Sequence, residues 1–215
     1  MLKSYKLYYE RGLSFMRKKM ILCTVILVVL AAAVGGAVYF NKNYAIVENK
    51  YGTKLIVSID VTEIRDKNDH GEPVKCTPSL RKLTKLEKLW LAADEDMDLK
   101  YLSEMKNLNE LAIFYFDEYC GRLETLPDLP NLKYLDLLEN PNEGWNTFVL
   151  DEKEYNLSNI DTLVLQLFED VDLEALEYFE NLHTLKIFDT RADTKEDLIK
   201  KCEEIKEKGI TVEIY

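Results

Sequence analysis

Proline and glycine are scarce in this 215-residue chain, at 5 and 8 copies. With an apolar fraction of 47%, that scarcity excludes a collagen-like or disordered polymer. Histidine occurs only as His70 and His183, and serine is sparse. There is no G-x-S-x-G elbow, H-E-x-x-H helix, P-loop or dinucleotide fingerprint. These absences remove the commonest hydrolytic and phosphate-binding chemistries, and the expectation is a protein that is not an enzyme and holds no cofactor or metal. Cys76, Cys120 and Cys202 are three thiols with no C-x-x-C spacing, so they form no metal knuckle and leave at least one unpaired. Burial as small apolar residues is the default for them, with a Cys76–Cys120 bridge as the alternative.

Basic charge is also in deficit, with 28 Lys plus Arg against 39 Asp plus Glu and a net charge of −11. That balance argues against nucleic acid, whose phosphates need a basic face. The charge is unevenly spread. Residues 1–19 carry Lys3, Lys6, Arg11, Arg17, Lys18 and Lys19 against Glu10, a net of +5. Residues 41–215 carry a net of −16.

Between these segments, 20–40 is a run of 21 uncharged residues, 18 of them apolar. A helix of that length would span about 31 Å, the thickness of a bilayer core. The expectation is a transmembrane helix over 20–40, with 1–19 a cytoplasmic basic tail and the acidic remainder outside. A cleaved signal peptide is the competing reading, since Ala31–Ala33 and Gly35–Ala37 offer small residues to a peptidase. The length of the run favours the anchor.

Beyond 80 one apolar pattern repeats. Leu86-x-x-Leu89-x-Leu91 recurs from Leu108, Leu132, Ile160 and Leu182, at offsets of 22, 24, 28 and 22 residues. The fourth and sixth positions alternate with polar or mixed residues, which is the period of a strand with one buried face. One such strand cannot bury its face alone, so the copies are expected to stack as a parallel sheet. Returns at Leu99, Leu102 and Met105, and at Val171, Leu173, Leu176 and Phe179, look helical. Residues 41–79 read as an N-terminal cap with a strand or hairpin over Lys54–Val61. Residues 191–215 read as a C-terminal cap, with a helix through Lys208 ended by Gly209 and a strand at Ile210, Val212 and Ile214. About seven strands are counted, with five repeats across 80–190.

Residues 129–141, with Leu132, Leu135, Leu137 and Asn140 in the key places, resemble the L-x-x-L-x-L-x-x-N signature of the leucine-rich repeat family. The resemblance covers roughly 80–215. It implies an α/β solenoid with the parallel sheet on its concave face, here preceded by one transmembrane helix. The Asn place is taken in succession by Asp94, Phe116, Asn140, Phe168 and Thr190, so loop geometry departs from the family pattern.

The concave face in that family is the usual binding surface. Here it comprises the residues flanking the buried positions: Lys88, Trp90, Ala92; Glu110, Ala112, Phe114; Tyr134, Asp136, Leu138; Thr162, Val164, Gln166; and Thr184, Lys186, Phe188. Trp90, Phe114, Tyr134, Leu138, Val164 and Phe188 are large and apolar where solvent tolerates polar residues, a bias typical of protein interfaces. With Asp136 and Lys186 they form the candidate partner-binding set. The opposing reading is that a terminus or the loop 139–146 folds over this face and makes it core. Asp94-Glu95-Asp96-Met97-Asp98 lacks the glycine and distal glutamate of a helix–loop–helix calcium site and reads as a solvated loop. Asn156-Leu157-Ser158 is a glycosylation sequon.

The leading expectation is a single-pass, membrane-anchored module that binds a protein or peptide outside the cell, with the bilayer as its other partner. The alternatives are an envelope-organising protein that self-associates, a regulatory subunit acting through its helix and tail, or a secreted form if the N-terminal segment is cleaved.

Overall fold

The computed structural model describes residues 26–27, 29–64, 73–94, 96–114, 123–138, 147–148, 154–166, 170–171, 175–188 and 195–215. Two compact units divide the chain at Asn43 and Tyr44. In the first unit, 26–27 and 29–43 are helical. The expected transmembrane helix over 20–40, and with it the single-pass membrane placement, is corrected here. Among the described residues no helix is long and apolar enough to cross a membrane. The described helix closes on the polar Asn41-Lys42-Asn43, where the Asn43 amide donates to the Tyr39 carbonyl at 2.7 Å. Residues 20–25 and 28, and the basic tail 1–19, lie outside the described residues.

The second unit opens with an antiparallel hairpin, β1 (Tyr44–Glu48) against β2 (Lys54–Ser58). Asn49 is its organising residue. Buried at 7% exposure, it accepts at Oδ1 from the backbone N–H of Tyr51 (3.1 Å) and Thr53 (2.8 Å). Gly52 takes the positive φ of 82° that closes the turn. Two-residue strands β3 (Glu63–Ile64) and β4 (Val74–Lys75) follow, then β5 (Lys88–Ala92), β6 (Glu110–Phe114) and β7 (Tyr134–Leu138). After β8 (Thr147–Phe148) come β9 (Thr162–Gln166), β10 (Asp170–Val171) and β11 (Thr184–Phe188). An α-helix over Lys195–Glu207 leads through Gly209, at φ 86°, to β12 (Thr211–Ile214).

Eight of these strands form one sheet in the order β12-β11-β9-β7-β6-β5-β3, with β4 also on β5. Every pairing within it is parallel. Equivalent repeat positions are aligned: Leu89, Leu111, Leu135, Leu163, Leu185 and Val212 sit side by side. β8 and β10 make a separate two-residue parallel pair.

The returns between strands correct the fold expectation a second time. An α/β leucine-rich repeat solenoid with helical returns is not what the described residues form. They form a mostly parallel multi-stranded sheet with only two α-helical stretches, neither of them between the repeat strands. The returns run through short 3-10 turns at Pro78–Lys82, Leu99–Leu102 and Ala175–Tyr178. The sequence contains the reason. Leu99, Leu102, Met105, Leu108 and Leu111 recur every three residues, as do Leu123, Leu126, Leu129, Leu132 and Leu135. A period of three keeps one face inward in a 3-10 turn, whereas an α-helix would rotate the stripe away. The hydrogen bonds agree: Leu86, Leu108, Leu132, Ile160 and Leu182 each donate to the carbonyl three residues earlier at 3.0–3.1 Å.

These leucines make the core. Leu86, Leu89, Leu91, Leu108, Leu111, Ile113, Leu135, Leu163, Leu185 and Ile187 are all at 0% exposure, and Cys76 and Cys202 are buried beside them. Both thiols are free, which removes the Cys76–Cys120 bridge. Burial pushes the Cys76 thiol up to about 12, so it is inert as a nucleophile. Cys120 lies outside the described residues.

Strands are also tied by a device that the repeat pattern conceals. Asn107, Asn131 and Asn181 each precede the first apolar position of a repeat. Their amides donate to Thr84, Lys106 and Ser158 carbonyls at 3.3, 2.7 and 2.6 Å, one repeat back. These asparagines stand before the strand, whereas the expected asparagine place lies two residues past it.

Leu111→Ala is expected to destabilise the second unit by about 2–5 kcal/mol, through lost burial and the cavity left behind. Asn131→Ala is expected to cost about 1 kcal/mol, because a single, partly solvated hydrogen bond is lost. Urea unfolding followed by circular dichroism reads both.

Candidate functional site

Alternation places one residue set of every strand in the leucine core and the other on the opposite face. Register aligns the opposite set into rows. The central row reads Trp90, Ala112, Asp136, Val164, Lys186, Glu213, and the row before it reads Lys88, Glu110, Tyr134, Thr162, Thr184, Thr211. With neighbouring strands about 4.8 Å apart, Trp90 and Lys186 each stand about 10 Å from Asp136.

The structure places the eight candidate residues unequally. Trp90 and Phe114 are partly buried and pack on each other, ring centroids 5.2 Å apart and tilted by 50°. At the far end Phe188, 39% exposed, stacks on Tyr215 at 5.0 Å. Tyr134, Asp136 and Lys186 are partly buried between these pairs. Val164 is different: it is wholly buried, and Ala112 nearly so, at 0% and 2%. Val164 is therefore a packed floor for the face rather than a contact point. Leu138 keeps its register opposite Phe114, and its side chain lies outside the described residues. The loop 139–146, considered as a cover for this face, lies outside them as well.

Charge on this face is mostly neutralised internally. Lys88 Nζ lies 2.6 Å from Glu110 Oε2. Lys186 Nζ lies 3.4 Å from Glu213 Oε2, which also accepts from the Tyr215 hydroxyl at 2.6 Å. The Tyr215 hydrogen bond is the largest influence holding Glu213 below the usual carboxylate range, and Lys186 adds to it. Tyr215, the last residue, was not in the candidate set. Continuing the alternation of β12 by one step would have found it.

Asp136 is the exception. Its Oδ1 is buried and, among the described residues, has no hydrogen-bond partner. Neither lysine of the face is bonded to it, and its row neighbours Ala112 and Val164 offer nothing polar in their side chains. Desolvation, and then the nearby Glu110 carboxylate, push it up to about 7. The same burial, with Asp136 and Glu110 close by, pushes Tyr134 up to about 12. A carboxyl left unpaired in such a place costs stability, and such groups concentrate at functional sites.

The remaining candidates are accounted for structurally. Asp98 Oδ1 accepts from the Lys100 N–H at 3.1 Å, the Lys100 ammonium pairs with the Asp98 carboxylate, and Asp94 lies 3.9 Å from Lys75. Met97 between them is wholly buried. Among the described residues no cluster of metal-ligating side chains forms. His183 Nδ1, exposed just before β11, lies 2.8 Å from Asp161 Oδ1 and 2.7 Å from the Asn181 carbonyl. The sequon residue Asn156 donates its amide to the Leu126 carbonyl at 2.7 Å, a bond that a glycan on that nitrogen would disturb. His70 lies outside the described residues. Compared with known proteins, the chain matches no family model and no curated protein.

An acid raised in the folded state weakens folding above its ordinary pKa. The unfolded chain releases the Asp136 proton near 3.8 and the folded chain only near about 7. Stability is therefore lost as pH climbs through that window. Asp136→Asn is expected to stabilise the chain by about 2 kcal/mol at pH 8, with the advantage shrinking towards pH 4. Urea midpoints of both proteins across pH 4–8 check the sign.

Proposed function

We propose that the second sheet face is a binding surface for a protein or peptide segment, working by shape and aromatic contact and without chemistry. The carrying observation is that two aromatic pairs, Trp90–Phe114 and Phe188–Tyr215, bracket a partly buried polar centre on a rigid parallel sheet. Aromatic residues are enriched at the cores of protein interfaces and supply many of their binding hot spots. The span from β5 to β11 is about 19 Å at 4.8 Å per strand, room for about six residues of extended peptide. Resemblance of 129–141 to the leucine-rich repeat family supports the same reading, because that family binds partners on its sheet. The acidic balance of the chain disfavours nucleic acid as the occupant.

The test is selection of phage-displayed random 12-residue peptides on the full chain, followed by affinity measurement on the enriched peptides. Trp90→Ala and Phe114→Ala are expected to weaken binding at least tenfold, with urea midpoints nearly unchanged. Unfolding of both variants, or binding indifferent to both, would sink the proposal.

A further inference from the structure

We infer that the occupant of this face presents a basic side chain, lysine or arginine, to Asp136. This rests on the binding-face reading above and names the partner chemistry it requires. Three observations converge. Asp136 lies in the central row, flanked by Ala112 and Val164, whose side chains carry no polar group, and between the aromatic pairs Trp90–Phe114 and Phe188–Tyr215. Among the described residues it has no hydrogen bond and no counter-ion, and its Oδ1 is buried without a partner. The two lysines of the face are already held by other carboxylates, Lys88 by Glu110 and Lys186 by Glu213. Among the described residues of the face, the carboxylates Glu110, Asp136 and Glu213 outnumber the lysines by one, and the carboxyl left over is Asp136.

The surroundings suit a basic side chain. Glu110, paired with Lys88, stands near enough to Asp136 to disfavour its ionisation when no cation is bound. Rotation about the terminal torsion of the aspartate brings either oxygen to the open side. Trp90 and Phe114 on one flank, and Phe188 and Tyr215 on the other, offer apolar surface to the residues before and after the cation and to its own methylene stem. A charge-assisted bond to a carboxylate shielded from water is stronger than its exposed counterpart.

The experiment uses the full chain and random 12-residue peptides displayed on phage, selected in parallel on wild type, Asp136→Asn and Asp136→Ser, each checked for folding by circular dichroism. Enriched peptides are resynthesised with each basic residue replaced by norleucine. Expected are enrichment of Lys or Arg flanked by aromatic or aliphatic residues on wild type and loss of that enrichment on both variants. One norleucine replacement should weaken binding to wild type at least tenfold and leave binding to Asp136→Asn within about twofold. Enriched peptides that depend on Trp90 but show no basic preference would overturn this inference and leave the binding face intact. Failure to enrich any peptide on the folded wild-type chain would overturn both.

Discussion

No strand of the main sheet can keep its leucines dry alone. Each repeat contributes two inward residues from its strand and two or more from the return before it, and these close only against the repeats on either side. Parallel register is the constraint that makes this possible, since it sets Leu89, Leu111, Leu135, Leu163 and Leu185 in one file. Backbone geometry enforces it. The carbonyls of Glu87, Asn109, Lys133 and Asp161 each accept two N–H groups from the next repeat at 2.8–3.1 Å. Slip by one residue would turn every leucine towards the other face.

The same register builds the candidate site without further instruction. Once the leucines are aligned inward, Trp90, Ala112, Asp136, Val164 and Lys186 must align on the opposite side. Ala112 and Val164 are buried in the centre of that row, and the aromatic pairs stand at its two ends. The sheet thus gives a fixed platform on which a single carboxyl is kept short of partners. Local cost at Asp136 is sustained because the leucine file stabilises the whole unit, a division of labour common where function and folding share one sheet.

Strand positions were legible because alternation at Leu89–Leu91, Leu111–Ile113 and their equivalents has only one reading over five copies. The turns were misread because Leu99, Leu102 and Met105 suit an α-helical stripe over a short window, and only the longer run through Leu111 reveals the period of three. The short strands β3 and β4, two residues each, carry too little pattern to be seen. The apolar run over 20–40 was read by its length and hydropathy, which report what a helix there would be surrounded by; among the described residues no helix is long and apolar enough to cross a membrane. At the site, the aromatic anchors were visible in the list of outward residues. The isolation of Asp136 was not, since it depends on which carboxylates Lys88 and Lys186 choose, and side-chain pairing across strands is decided only by register.

The most direct measurement is a carbon-detected NMR titration of the Asp136 carboxyl in the full chain. An unpaired, desolvated carboxyl on the sheet face titrates near about 7, and it should fall towards the ordinary carboxylate range once a lysine- or arginine-bearing peptide is bound. A midpoint near 3.8 in the free chain would mean that Asp136 is hydrated or already paired, and would contradict the account.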